Sequence, residues 1–563
     1  MKKLNMIMAA SAALLLTACA DTDIPGFSFD EPTSMFKQDT INAYGPLKSY
    51  VDRAKYPTFK MGGATSAAPF NELGQVYALD KDNYEEVVTG NAFKYASVVK
   101  DDGSMDFSTI TTFVSNATGA GLSVYGHTLV WHSQQNNKYL NSLITDPNAA
   151  NYVLHLHTDE AKGNIWDYSA TLALNGTLAK DGEYTVMMRI KTSTPDYTLT
   201  CWPSKNGGNT QYWPTPSIVS NGTGWTKIKT SFKASQDIDQ LGFEFGTYAG
   251  DIYIDDVSVQ DANGKEYCDN GTFDEGTDGW SKPSWITYDF KRETDPDQGA
   301  GAGGFTPEMK ADTLKWAMNN WIKGMMNACD GKVQAWDVVN EPMSDAAPNE
   351  LKTAGRDGDP KTNFYWQDYM GKDYARVAIK LAREAAGSTP LKLFINDYNL
   401  EAAYNDNAKC KGLIEMIKYW ESDGVTKIDG IGSQMHVTYS MNPATQARNQ
   451  EAYVNHLKLL AATGKLIRLS ELDMGIADAE GNTIHTADVT PEQHQAMANY
   501  YKFIVEQYLK IIPPAQQYGI TNWGVTDSPK NSGWRADEPI GLWDANYNRK
   551  PAYKGFADGL AGK

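Results

Sequence analysis

Two glutamates close apolar runs far apart in the chain: Glu341 in "VQAWDVVNEPM" (333–343) and Glu471 in "KLIRLSELDMG" (465–475). Each run reads as a buried strand that carries one carboxyl group out of the core, and Pro342 fixes the exit of the first. A lone glutamate at a strand end is ordinarily a solvated charge or a helix cap. Two that converge on one bond can do chemistry: a protonated carboxyl serves the leaving oxygen, an ionised one the neighbouring carbon. Cleavage of a glycosidic linkage needs that pair. Mutual repulsion should raise one pKa and leave the other low. Asn340, His436 and Trp523, at the ends of these and neighbouring runs, favour the chemical reading.

The elements that must position these groups repeat. Apolar runs occur at 59–65, 86–93, 122–131, 334–341, 392–399, 428–436, 467–473 and 520–527, alternating with helix-period segments such as "GKDYARVAIKLAREAAG". Eight strand–helix alternations predict an α/β fold, a (β/α)8 TIM barrel. Every run ends in polar or aromatic residues, as barrel active sites require. One connection breaks the rhythm. Between the third and fourth barrel strands lie "EYTVMMRIKTS", "TLTCWPS", "WTKIKTSFKA", "LGFEFGTY" and "DIYIDDVSVQDANG", alternating runs separated by turn residues. They predict an antiparallel β-sandwich inserted after the third barrel strand. The expected divisions are a signal at 1–19, a tether at 20–45, barrel at 46–140, insertion at 141–296, a Gly-rich linker at 297–308 and barrel at 309–563.

Composition narrows the function. At 563 residues the chain exceeds one ordinary domain, and a net charge of −18 excludes phosphate-backbone binding, so no nucleic-acid partner is expected. Fifteen Trp and 31 Tyr suit stacking on sugars as well as packing. The start, "MKKLNMIMAASAALLLTACADTD", reads as a secretion signal. Leu16-Thr17-Ala18-Cys19 resembles a bacterial lipobox, which implies a lipidated Cys19 and an outer-membrane, surface-exposed lipoprotein. Cys201, Cys268, Cys329 and Cys410 show neither metal-ligand nor disulfide-framework spacing; Cys201–Cys268 is the one pairing considered. No metal or cofactor motif is present.

Six motifs in order, "GHTLVWHSQ" (126–134), "AWDVVNE" (335–341), "FINDYN" (394–399), "GIGSQMH" (430–436), "SELDM" (470–474) and "NWGVTD…GW" (522–534), resemble glycoside hydrolase family 10. The resemblance implies an endo-β-1,4-xylanase acting on xylan with retention, without a cofactor. Glu341 would be the acid/base and Glu471 the nucleophile, with His436 and Asp473 holding Glu471 in place. Asn340 would bind the 2-hydroxyl of the sugar being cleaved. Asn91, Lys94, His127, Trp131, Gln134 and Gln434 would bind sugar beside it, and Trp523 and Trp534 would form the floor and wall. Gly90 replaces a usual glutamate, Tyr95 a tryptophan and Trp321 a common histidine. Pro342 is more typical of related barrel glycanases. The rivals are a glucan- or mannan-cleaving barrel and a non-catalytic surface glycan binder.

The insertion resembles family 4-type carbohydrate-binding modules through "GEYTVMMRIKTS", "GWTKIKTSF" and "IYIDDVSV". That resemblance offers Trp202, Tyr212, Trp213 and Tyr248 as stacking rings, with Trp166 and Trp225 expected in the core. "DNGTFDEGTDGW" (269–280) is either a remnant of a second module or a strand that folds back to complete the first sheet.

Overall fold

The computed structural model describes residues 33–145, 151–194, 197–205, 218–219, 223–297 and 305–563. Cys19, Tyr212 and Trp213 lie outside them. Packing divides the chain into two units, one running to Leu143 and resuming at Lys310, the other Ile144–Met309. Among the described residues no helix is long and apolar enough to cross a membrane.

The first unit is a closed barrel. Strands are numbered along the chain, so the first three are β1 (Lys60–Thr65), β2 (Glu86–Thr89) and β3 (Ser123–Val130). The insertion contributes β4 to β13, and the chain re-enters the barrel with β14 (Val333–Asn340) and β15 (Lys392–Asp397). β16 (Gly430–Ser433), β17 (His436–Ser440), β18 (Leu466–Ala477) and β19 (Gln517–Asn522) complete it. The parallel order β16-β15-β14-β3-β2-β1-β19-β18 closes through a β16–β18 pairing. The eight apolar runs are these eight strands, buried on both faces as parallel strands beneath helices are. Tyr125, Phe394, Tyr518 and Ala335 fill the interior. Gly126 is required by close approach: a Cβ there would stand 2.0 Å from the Trp336 ring.

One strand end departs from the simple barrel. β18 is 12 residues long and outlasts β16. After Ser433 the chain turns through Met435, at φ +64°, and pairs again with β18 as β17. The new register sets His436 opposite Asp473, two residues beyond Glu471.

The second unit is a β-sandwich. Its strands are β4 (Tyr152–Thr158), β5 (Ser169–Leu178), β6 (Glu183–Thr192), β7 (Thr198–Ser204), β8 (Ile218–Val219), β9 (Thr226–Lys233), β10 (Ile238–Glu244), β11 (Gly250–Asp261), β12 (Trp280–Ser281) and β13 (Asp289–Thr294). They form two five-stranded sheets, β12-β5-β10-β7-β8 and β13-β4-β11-β6-β9. Alternation is clean in β6, where Tyr184, Val186, Met188 and Ile190 face the core. The trailing segment folds back: Phe273 and Trp280 join the core, β12 pairs β5, and β13 pairs β4. Cys201 and Cys268 are both buried in that core without a disulfide between them.

Candidate active site

Glu341 leaves β14 with a left-handed backbone, φ +53°. Such a conformation costs a non-glycine residue about 1–3 kcal/mol and persists where the surroundings fix it. Here its N–H donates to the Asn396 carbonyl at 2.7 Å. The side chain is equally constrained. Trp131 Nε1 donates to Oε2 at 2.9 Å and Gln434 Nε2 to Oε1 at 3.0 Å. Lys352 Nζ lies 3.6 Å and His132 Nε2 4.0 Å from Oε2.

Glu471 is held within β18. Asn396 Nδ2 donates to its Oε1 at 2.8 Å, and His436 Nε2 lies 3.3 Å from Oε2. The other ring nitrogen of His436 is 3.0 Å from Asp473 Oδ2. Asp473 in turn accepts from Trp534 Nε1 and Arg535 Nη1, each at 2.8 Å.

Amides span the two carboxylates. Asn396 Nδ2 also donates to Asn340 Oδ1 at 2.8 Å, and Gln434 Nε2 reaches the same oxygen at 3.4 Å. A continuous hydrogen-bonded path therefore runs from Glu341 through Gln434, Asn340 and Asn396 to Glu471. Ser470 Oγ, donating to Asn396 Oδ1 at 2.5 Å, fixes the amide orientation.

Burial alone would push both glutamates up. For Glu471 it is outweighed by the His127 imidazole, by the hydrogen bond and charge of His436, and by Asn396, which bring the carboxyl down to about 2. Burial would lower His436, but the charge and hydrogen bond of Asp473, then Glu471, raise it to about 10. The expectation of one raised carboxyl is not met: Glu341 is also held below its ordinary value. The Lys352 charge leads the groups that overcome its desolvation, followed by His132 and the Gln434 and Trp131 donors. His132 itself is lowered to about 4, by burial and by Lys352.

The remaining barrel residues join the same network. Lys94 Nζ stands 4.8 Å from the Trp131 ring centre and 3.1 Å from Asn91 Oδ1, which Gln134 Nε2 reaches at 3.4 Å. Burial lowers the Lys94 pKa against the pull of Glu471 and Glu341. His127 is anchored by Nδ1 on Asp337 at 2.9 Å and meets Trp523 edge-on at 5.5 Å. Trp534 packs 4.5 Å from His436 and keeps 44% of its surface open. Trp321 is buried, and its Nε1 donates to the Leu129 carbonyl at 2.7 Å. Asn396, Asp337, His132, Lys352 and Arg535 were not singled out as site residues. The first three lie inside or beside the motifs; Lys352 and Arg535 come from loops, where no strand pattern marks them.

In the sandwich three expectations fail, for Tyr248, Trp166 and Trp225. Tyr248 belongs to the core, its hydroxyl 3.0 Å from Thr194 N and 3.1 Å from Ser193 Oγ. Trp166, expected in the core, is 57% exposed, because it sits in a short turn ahead of β5. Trp225 is half-buried beneath the Arg189 guanidinium at 4.6 Å. Trp202 faces away from the core, since its neighbour Cys201 points into it, but only 7% of it is exposed. Its cross-strand partner is Gly242, and burial pushes the Glu244 carboxyl up to about 7 against the opposing pull of Trp202.

Paired carboxylates at strand ends of a (β/α)8 barrel, spanned by amide donors, define a barrel glycosidase site. The chain belongs to glycosyl hydrolase family 10, whose model matches residues 50–171 and 283–559. An endo-beta-1,4-xylanase of Cellvibrio japonicus, Xyn10C, is 32% identical over 246 residues, 41% of this chain and 37% of that protein. The chain thus spans little more than a third of that relative's length. The crystal structure of xylanase B from Clostridium stercorarium F9 is 19% identical, with a TM-score of 0.53 over 92% of this chain and 100% of that one. A solved chain described as "PbXyn10C CBM APO" is 47% identical over 28% of this chain and 98% of its own length, with a TM-score of 0.27.

Proposed function

We propose that the protein is an endo-β-1,4-xylanase that cleaves xylan by double displacement with retention of configuration. The observation that carries this reading is the amide path between Glu341 and Glu471, two carboxylates from separate strands with different surroundings. Glu471, strongly ionised and held by His436 and Asn396, attacks C1. Glu341 protonates the leaving oxygen, then activates water to hydrolyse the glycosyl ester. Esterification removes the negative charge of Glu471, and substrate binding excludes water around Glu341; each change favours the proton transfers in turn. Asn340 is placed to bind the 2-hydroxyl, and Asn91, Lys94, His127, Trp131, Gln134 and Gln434 the sugar beside it. Trp523 and Trp534 supply an apolar surface with little room for a hydroxymethyl arm, which favours xylose over glucose.

Assay of Glu471→Ala on xylan tests the mechanism: activity is lost, and azide restores bond cleavage with an inverted glycosyl azide. Retained hydrolysis, or no azide product, defeats it. Parallel assays of the wild type on glucan and mannan test the substrate.

The same reading makes the insertion a xylan-binding module. Support comes from the outer face of β10, where Gly242 has no side chain and lies between Trp202 and Thr171 in register. It also makes Cys19 a lipid attachment point that holds the enzyme at the outer-membrane surface. Metabolic palmitate labelling of wild type but not Cys19→Ala is the expected result.

A further inference from the structure

The outer face of the other sheet carries a cluster that sugar binding and hydrolysis leave unused. His155 and His157 alternate on β4, so both side chains emerge on the same face. Asp251 is directly opposite His157 on β11, and Tyr253 is opposite His155. The near nitrogens converge on one carboxylate oxygen: His155 Nε2 is 2.8 Å and His157 Nδ1 2.7 Å from Asp251 Oδ1. The three donor atoms lie within 4.8 Å of one another.

The far nitrogens also face carboxylates. His155 Nδ1 is 2.8 Å from Glu293 Oε1 on β13, and His157 Nε2 is 3.3 Å from Asp159 Oδ1. His157 can therefore keep its proton on Asp159 and turn a lone pair toward Asp251, while His155 Nδ1 lies beside Glu293 without the alignment of a hydrogen bond. Carboxylate–histidine pairs behind a metal ion have that arrangement, because they fix the tautomer and raise the basicity of the ligand. The His155 ring is further fixed by stacking on Tyr253, with centroids 4.4 Å apart and planes 12° from parallel. His155 is buried, whereas His157 and Asp251 are half-buried, which leaves an open side for water ligands.

We propose that His155, His157 and Asp251 form a binding site for a divalent transition metal of the zinc class. Two imidazoles with one carboxylate match the ligand preference of zinc, nickel and copper, while calcium and magnesium take oxygen ligands. Zinc stands about 2.0–2.2 Å from nitrogen and oxygen ligands, so the donors need only a small outward adjustment to admit it. The ion ties β4 to β11, and through Glu293 it orders β13, the strand that folds back to finish the sheet.

The test uses the full chain, stripped with chelator and titrated with zinc chloride by calorimetry near neutral pH. Wild type binds one zinc that both His157→Ala and Asp251→Asn lose, with circular dichroism verifying their fold. Glu293→Gln keeps the site but weakens it roughly 10–100-fold, as loss of an outer partner does. X-ray absorption of the zinc-loaded wild type shows two imidazole ligands, an arm that needs no variant. Wild type that binds no zinc, variants that bind it as tightly, or calcium that competes equally would overturn the proposal.

Discussion

The barrel mouth and the outer faces of the sandwich both gather aromatic and ionisable side chains, but they arrange them by different rules. In the barrel, the groups come from the ends of several strands and from the loops after them, and nearly every one is buried and joined to the next. In the sandwich, groups come from strand faces, two residues apart, so neighbours are set by alternation and cross-strand register. Strand ends let residues distant in sequence meet with independently tuned surroundings, as with Glu341 beside Lys352 and Glu471 beside His436. Strand faces produce repeating rows, such as His155 and His157, that suit binding. Convergence at strand ends builds the proposed catalytic site, whereas periodicity along strand faces builds the proposed binding surfaces.

The strongest way to break that contrast is Glu341→Gln. It keeps the Trp131 contact in shape but removes the proton donor, and kcat on xylan should fall roughly 10²–10⁴-fold. Aryl-activated xylosides, whose leaving groups need no proton, should suffer far less in kcat/KM, which reports the glycosylation step; an equal loss of kcat/KM on xylan and on the aryl xyloside would disprove the assignment. On the sandwich side, Trp202→Ala should weaken retention on insoluble xylan about tenfold, or ~1.4 kcal/mol, in a depletion assay. Unchanged retention would remove that face as the binding surface.

Lys352→Met sharpens the electrostatic half of the comparison. The Lys352 charge holds the Glu341 pKa down, and the acid must be protonated to act. Removing the charge raises that pKa, so the alkaline limb of kcat/KM should move to higher pH. A limb that stays or moves down contradicts the role given to Lys352. Gly90→Glu should have the smallest effect. A Cβ at Gly90 meets nothing within 4 Å, so the side chain is admitted. An exposed polar contact is worth up to about 1 kcal/mol, which corresponds to a KM for long xylo-oligosaccharides lowered by at most about fivefold.

The barrel was legible because each strand is a compact apolar run ending in polar residues, and the six motifs mark the mouth. What escaped depended on contacts the chain order does not display. Lys352 reaches Glu341 from a loop, and its charge reverses the pKa expected for the acid. Asn396 was visible as a strand end, but its double donation to Asn340 and Glu471 depends on β15 lying beside β14. In the insertion, β6, with its strict alternation, was read correctly. β4 was missed because "YVLHLHT" is almost wholly buried, with histidines in place of the polar residues that usually mark a solvated face. Trp166 was misplaced for the converse reason: aromatic type says nothing about whether a turn lifts the ring away from the sheet.

The entry and exit strands of the insertion are partners. Tyr152 pairs with Thr294, and Asp295 N donates to the Asn151 carbonyl at 2.8 Å. The two ends of the insertion therefore leave its sheet side by side, in one rung. Swapping such a cassette between hosts, or cutting it out and sealing the ends with a few residues, changes loop closure little because that cost grows only logarithmically with length. Ancestry by transposition of whole cassettes is therefore physically easy for this architecture.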